Sequence, residues 1–354
     1  MPAHALKSHF PFTSCQGRVV SHNNYCRPLL ALIFLMSIGC RSDQNSESET
    51  NDGKSVRSSA GSFVVDRLDR HVRIESPAKR IVSLAPATTE LLYALGLADQ
   101  IVGATKYCNY PPEALKLPRV GGGTIESISV EKILSLKPDL VLCNSDTHQP
   151  LVDRLERLKV KACAVGAQSL GGLYEESEWI GLLTDREREA QDLISKMSAR
   201  ETALKEIVAQ FQPNPKLRVF YEVWDEPLMT AAPNSFIGEL LSIAGLENVL
   251  SSTSVRYPRI SSEAVVKGDP ELILAPTSHL EEVDVDAFQA RPGWGAVSAV
   301  VDKRIHLISG DKISRCGPRV LDALAEIIEA AYPQARELIN KSMQPSLLES
   351  ELAP

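Results

Sequence analysis

The feature that most constrains this chain is that it repeats itself. Ile128-Ser-Val-Glu-Lys-Ile-Leu-Ser-Leu-Lys-Pro-Asp-Leu-Val-Leu142 aligns without gaps with Ile260-Ser-Ser-Glu-Ala-Val-Val-Lys-Gly-Asp-Pro-Glu-Leu-Ile-Leu274, and six of the fifteen positions are identical. Earlier in each half, Glu90-Leu-Leu-Tyr-Ala-Leu-Gly-Leu97 aligns with Glu239-Leu-Leu-Ser-Ile-Ala-Gly-Leu246. Shared helix–proline–strand grammar would explain one such match. Two in the same order indicate two halves built on one plan. Strand-like runs alternate with helical ones throughout: Arg80–Leu84 then Thr88–Leu97, Asp139–Cys143 then Pro150–Lys159 and Lys161–Val165, Leu217–Val223 then Ser235–Gly245 and Glu271–Ala275. Such alternation implies parallel sheets with helices on their faces. The expected fold is α/β, with similar parallel-sheet lobes over 63–184 and 212–335 and a tail over 336–354.

Between the lobes, 185–211 holds no Gly or Pro. Its apolar residues fall at Ala190, Leu193, Ile194 and Met197, then at Leu204, Ile207, Val208 and Phe211. Both sets follow i, i+3, i+4, i+7, one stripe of a single helix. At about 1.5 Å per residue it makes a rod of about 40 Å. A rod of that length joining two lobes predicts modest closure between them.

The N-terminus points to export. Arg27 precedes the uncharged run Pro28–Gly39, 12 residues long. A span needs about 20 apolar residues, so this run suits the apolar region of a secretory signal over 1–39. It ends at Ser37-Ile38-Gly39-Cys40, where small residues lead into a cysteine as in a bacterial lipobox, so Cys40 is expected to carry lipid. Residues 40–62 are polar and rich in Ser, as a tether is. The full chain of 354 residues has a formal charge of −7, and Lys7, Arg18 and Arg27 are the only charged residues before Cys40. Removing those three cations leaves −10. An acidic body argues against nucleic acid as a partner.

No G-x-S-x-G, phosphate-loop or H-E-x-x-H motif occurs, so no enzyme is expected. Four cysteines lie beyond Cys40 (Cys108, Cys143, Cys163 and Cys316), without a C-x-x-C pair, and their pairing stays open. His148 and His279 follow equivalent strands, and with Cys108 and Cys316 they offer a His/Cys metal site as one alternative. Solvated loop histidines and buried or disulfide-linked cysteines are the blander reading, and no metal site is assigned.

Four segments resemble one family: Ile81-Val-Ser-Leu-Ala-Pro-Ala-Thr-Thr-Glu-Leu-Leu92, Tyr107-Cys-Asn-Tyr-Pro-Pro-Glu113, Ser129–Leu142 and Ser314-Arg-Cys-Gly-Pro-Arg319. The likeness is to the vitamin B12-binding (cobalamin) periplasmic proteins of ABC importers, with siderophore and haem binders as near relatives, and it runs from about Arg80 to Tyr332. It implies two α/β lobes joined by one long helix, a ligand cleft between them, no resident cofactor, and a monomer tethered on the periplasmic side of a membrane. Tyr107 matches a tyrosine that lies against the corrin. Tyr257 falls where the family places a cleft tryptophan, and Asp311 and Arg315 match a polar pair facing the ligand. Glu131 and Glu263 match two glutamates, one per lobe, that dock on arginines of the membrane permease. Their equivalent places in the repeat support that role, although the dipole of a helix also favours an acid in its first turn.

The resemblance has departures. The family's two further cleft tryptophans are missing from the first-lobe loops Gly121–Ser127 and Asn144–His148. Asn144 is the polar candidate there, and Trp224, after the strand that opens the second lobe, is either the aromatic that compensates or a core or rim tryptophan. Trp179 and Trp294 are assigned to packing. The expected ligand is a corrinoid. A ferric siderophore or haem is the alternative, with Arg315 and Arg319 available to an anion or, equally, to cap or brace the following helix, the reading preferred for Arg319.

Overall fold

In the computed structural model of the chain, residues 55–58, 61–250, 253–277 and 284–342 are described. The segments assigned to signal and lipid, with Cys40, lie outside the described residues, as does His279. Both lobes fall within one compact unit, Asp52–Pro354.

The first lobe opens with an antiparallel ribbon, β1 (Ser55–Ser58), β2 (Gly61–Val65) and β3 (His71–Ile74). This differs from the tether expected to reach Ser62. Ribbon pairing needs backbone groups rather than apolar side chains, so a polar composition does not exclude it. Val64, Val72 and Ile74 enter the main core. The turn at Asp66 caps the sheet edge: Arg67 N–H donates to the Ala164 carbonyl at 3.0 Å, and Ala164 N–H donates to Asp66 Oδ2 at 2.9 Å.

Five parallel strands follow: β4 (Ile81–Ser83), β5 (Ile101–Thr105), β6 (Arg119–Gly121), β7 (Leu140–Asn144) and β8 (Ala162–Val165), in the order β6-β5-β4-β7-β8. The helices are α1 (Pro86–Ala94), α2 (Val130–Ser135), α3 (Gln149–Arg157) and α4 (Leu170–Thr184). Asp185 adopts φ 61° and ends α4, so the connecting helix starts two residues later than the periodicity predicts. It is α5 (Glu187–Phe211), 25 residues long.

The second lobe has β9 (Arg218–Asp225), β10 (Leu228–Thr230), β11 (Glu247–Asn248), β12 (Leu272–Pro276) and β13 (Ile305–Ile308), ordered β10-β9-β12-β13 with β11 also on β9. Its helices are α6 (Phe236–Ile243), α7 (Ser262–Gly268), α8 (Val285–Gln289), α9 (Ser298–Val301), α10 (Gly310–Ile313), α11 (Val320–Ala331) and α12 (Arg336–Ser342). Two details differ from the sequence reading. The β9–β10 hairpin adds an antiparallel edge to an otherwise parallel sheet. The first part of the expected tail is α12, which packs on α5 and buries Ile339.

The repeat is visible in the topology, since β4-β7-β8 corresponds to β9-β12-β13. Ser129 and Ser261 cap α2 and α7, each side-chain oxygen accepting a backbone N–H three residues on. The residues before the paired prolines, Lys137 and Asp269, both turn left-handed, with φ 49° and 40°. Gly96 and Gly245 close α1 and α6 at φ 68° and 72°, with Leu97 N–H donating to the Leu92 carbonyl and Leu246 N–H to that of Leu241.

The stripe of α5 is buried at Ala190, Leu193, Met197, Leu204, Ile207 and Val208. It packs on α4 of the first lobe and on α11 and α12 of the second. Arg200 pairs with Asp322 of α11 at 2.6 Å, and Tyr174 of α4 donates to Glu201 at 2.7 Å.

Candidate functional site

In open parallel sheets, ligands bind outside the carboxyl ends of the strands. The loops after β5, β6 and β7 lie at that end of the first sheet, and His148 joins two of them. Its Nδ1 accepts from Asn144 N–H at 3.1 Å, so the proton sits on Nε2, which meets the Gly123 carbonyl at 3.0 Å. The ring is 1% exposed, and burial pushes its pKa below the usual histidine value. It is neither solvated nor available to a metal, because both nitrogens are used. Gly123 lies against Tyr107, since a Cβ there would meet the ring at 3.2 Å. At Gly121, φ is 147° and a Cβ would meet the Ser127 carbonyl oxygen at 2.1 Å, so the start of the glycine run is required by backbone crowding. Tyr107 is exposed, with Lys106 Nζ 4.9 Å from its ring centroid. Asn144 Oδ1 accepts from Asp146 N–H, Thr147 N–H and the Thr147 hydroxyl, which shapes the next loop as an Asx turn.

In the second lobe Tyr257 lies on a segment zipped to β10. Thr230 N–H donates to the Pro258 carbonyl and Ala232 N–H to the Arg256 carbonyl. Tyr257 is half-buried, and burial raises its pKa. Trp224 stands exposed at the carboxyl end of β9, its indole N–H held by the Glu226 carbonyl at 2.8 Å. Trp179 and Trp294 are buried, each with an arginine over its ring.

Asp311 and Arg315 pair with each other at 2.7 Å, and both are also engaged across the lobes. Arg315 donates to Glu90 at 3.0 Å and to Asn109 Oδ1 at 2.8 Å, and Asn109 Nδ2 donates to Asp311 at 3.2 Å. Arg319 donates to both oxygens of Glu90, at 2.8 and 2.6 Å, and stacks on Tyr110. The side chains of Glu90, Arg315 and Arg319 are 1%, 13% and 12% exposed. Sequence reading found Glu90 as one half of a repeat without seeing this. Glu239, its repeat partner, likewise crosses the lobes, accepting Leu170 N–H at 3.1 Å.

Glu131 and Glu263 both stand in the first turns of their helices on exposed surface. The Glu131 side chain is 81% exposed, 3.8 Å from Arg154. Backbone hydrogen bonding, then the Ser129 hydroxyl, lowers its pKa.

The four described cysteines are free thiols, and Cys108, Cys143 and Cys163 are fully buried. Cys108 Sγ lies 3.3 Å from the Thr105 hydroxyl, whereas Cys316 Sγ donates to the Ser169 carbonyl at 3.4 Å. Among the described residues no three His, Cys, Asp or Glu side chains gather where a metal ion would sit.

Residues 81–311, from the first parallel strand to the second half of the cleft, match the periplasmic binding protein family. The chain belongs to that family. It is 30% identical over 310 residues to the Bacillus subtilis protein named ABC transporter substrate-binding lipoprotein YvrC, covering 86% of this chain and 95% of that one. Against the vitamin B12-binding protein of Vibrio cholerae it is 30% identical over 252 residues, covering 71% and 88%. The crystal structure of that organism's periplasmic vitamin B12-binding protein superposes with a TM-score of 0.63, covering 74% of this chain and 99% of the other. A Staphylococcus epidermidis structure described as a possible iron-binding periplasmic solute-binding protein is 27% identical, with a TM-score of 0.65 over 73% of this chain and all of the other. This binding protein therefore has the expected architecture of two α/β lobes joined by one long helix.

Proposed function

We propose that this binding protein captures a corrinoid outside the cytoplasm and delivers it to the membrane permease of an ABC importer, without catalysing a reaction. The observation that carries the reading is the match to a vitamin B12-binding protein at 30% identity over 252 residues, and Tyr107 and Tyr257, one in each lobe, support it. Flat macrocycles draw much of their contact area from aromatic faces. Tyr107, Tyr257 and Trp224 supply these faces, while Asn144, Asp311 and Arg315 supply polar contacts, Arg315 while still held by Glu90. Export by the segment 1–39, a lipid on Cys40 and action as a monomer complete the proposal. Among the described residues no helix is long and apolar enough to cross a membrane. Haem and ferric siderophores are the rival ligands, favoured by the likeness to the iron-binding neighbour.

Titration with cobalamin, cobinamide, haemin and a ferric hydroxamate, read by tryptophan quenching, tests the ligand. Submicromolar corrinoid binding is expected, and no corrinoid binding tighter than micromolar would reject it. Glu131 and Glu263 are the proposed permease contacts. Replacing both with Ala should leave ligand affinity unchanged and abolish uptake in cells. Normal uptake by the double variant would end the docking assignment.

A further inference from the structure

Anions entering the cleft meet several cations, and the structure separates them by what each would leave behind. Arg315 and Arg319 both hold the buried carboxylate of Glu90. Drawing either toward a ligand would strand charge out of reach of water. Arg256 stands differently. Its guanidinium meets Asp146 of the opposite lobe at 3.5 Å, and the two side chains are 42% and 47% exposed. An exposed pair of that kind is weak, so a ligand acid can take the place of Asp146 at small cost. Asp146 is not orphaned by the exchange, because Gln168 Nε2 donates to the same Oδ2 at 2.9 Å. The backbone carrying Arg256 is fixed by the Ala232 N–H bond at 2.9 Å, so the side chain works from a firm base. It also immediately precedes Tyr257, the aromatic of this segment, and Asp146 lies two residues after Asn144.

We propose that Arg256 selects ligands bearing an acidic group, and that Asp146 competes with the ligand for it. The proposal rests on reading the cleft as a macrocycle site. The chemical class is a tetrapyrrole-type macrocycle with a peripheral carboxylate or phosphodiester, either of which a guanidinium fork binds through two parallel hydrogen bonds. Haem propionates and the cobalamin phosphodiester share that chemistry.

The test titrates wild type, Arg256→Gln, Arg256→Lys, Asp146→Asn and Lys106→Gln with cobalamin and haemin. Cobinamide, which lacks the phosphodiester, and haem dimethyl ester serve as acid-free counterparts. Arg256→Gln should weaken the acid-bearing ligand about 10- to 100-fold, leave its counterpart within about 2-fold, and be partly rescued by Arg256→Lys. Asp146→Asn should tighten the acid-bearing ligand about 2- to 5-fold. The opposite signs are the signature. Weakening by Asp146→Asn would make the pair a brace and overturn the proposal. So would equal losses for both ligand forms, or an anion preference that follows Lys106. If wild type binds no corrinoid or haem, the macrocycle reading fails on its own, and the same variants are titrated with ferric citrate. Ferric citrate binding that depends on Arg256 keeps the anion role. Binding without that dependence, or no binding, overturns it.

Discussion

At Glu90 one carboxylate, almost wholly enclosed, receives two guanidinium groups from the other lobe. Glu90→Gln keeps the shape but leaves Arg319 without its counter-charge and Arg315 with Asp311 alone. Breaking a buried pair by removing one partner costs about 3–5 kcal/mol, so urea unfolding should show a loss of that size. A loss under about 1 kcal/mol would mean the cluster is wet. His148 offers a second test. Its pKa is lowered in the folded protein by burial, so the unfolded chain binds a proton more readily below about pH 6.5. Stability from this residue is therefore full above that value and declines as pH falls through the lowered folded one. His148→Leu should cost about 2–4 kcal/mol near pH 7.5 through its two lost bonds. It should also flatten the decline in Tm between pH 6.5 and 5, and an unchanged slope would refute the argument.

The two lobes share more at the scale of elements than their identical letters suggest. Asp139 and Glu271 differ in type yet do one job. Each follows the paired proline, its backbone N–H donating to the carbonyl of Arg80 or Arg218, at 3.0 and 2.9 Å, while its carboxylate accepts that arginine's backbone N–H. A carboxylate one methylene longer reaches the same donor, so the letters differ while the hydrogen bonds persist. The α5 stripe is the element whose burial the sequence stated most directly, although Ile194 and Phe211 are only half-buried. Leu204→Ala, at 0% exposure, should cost about 2–5 kcal/mol. Lys205→Ala, one position on, removes a half-exposed lysine that pairs with Glu201 and should stay within about 0.5 kcal/mol. Equal costs would show that the helix is not held by its stripe.

For the whole molecule, the question is how far the lobes move. The connecting helix is clasped from both sides, by Tyr174–Glu201 and Arg200–Asp322, and Gly317 of the second lobe rests on Ala87 of the first, where a Cβ would approach within 3.3 Å. Hinges need a few residues free to change φ and ψ, and here the joint is a packed helix. Spin-label distances between the lobes should change by only a few ångströms on ligand addition, with the Asp146–Arg256 edge moving most. A rotation of several tens of degrees would contradict this.

Periodicity and internal repetition are local properties, and they were enough for the two α/β lobes, the single α5 rod and the paired glutamates in the first turns of α2 and α7. What crosses between segments was not legible. Nothing near Arg315 or Arg319 in sequence says that Glu90, more than 220 residues earlier, claims both. Nothing near His148 says that its ring binds Gly123. The polar N-terminal ribbon escaped notice because β pairing is a relation between strands. Sequence alone thus determined the repeated strands and helices of the two lobes and the rod between them. Only the tertiary structure decided which cleft charges are spent bracing the lobes and which stay in water, because that depends on where each counter-charge lies and how much solvent it keeps.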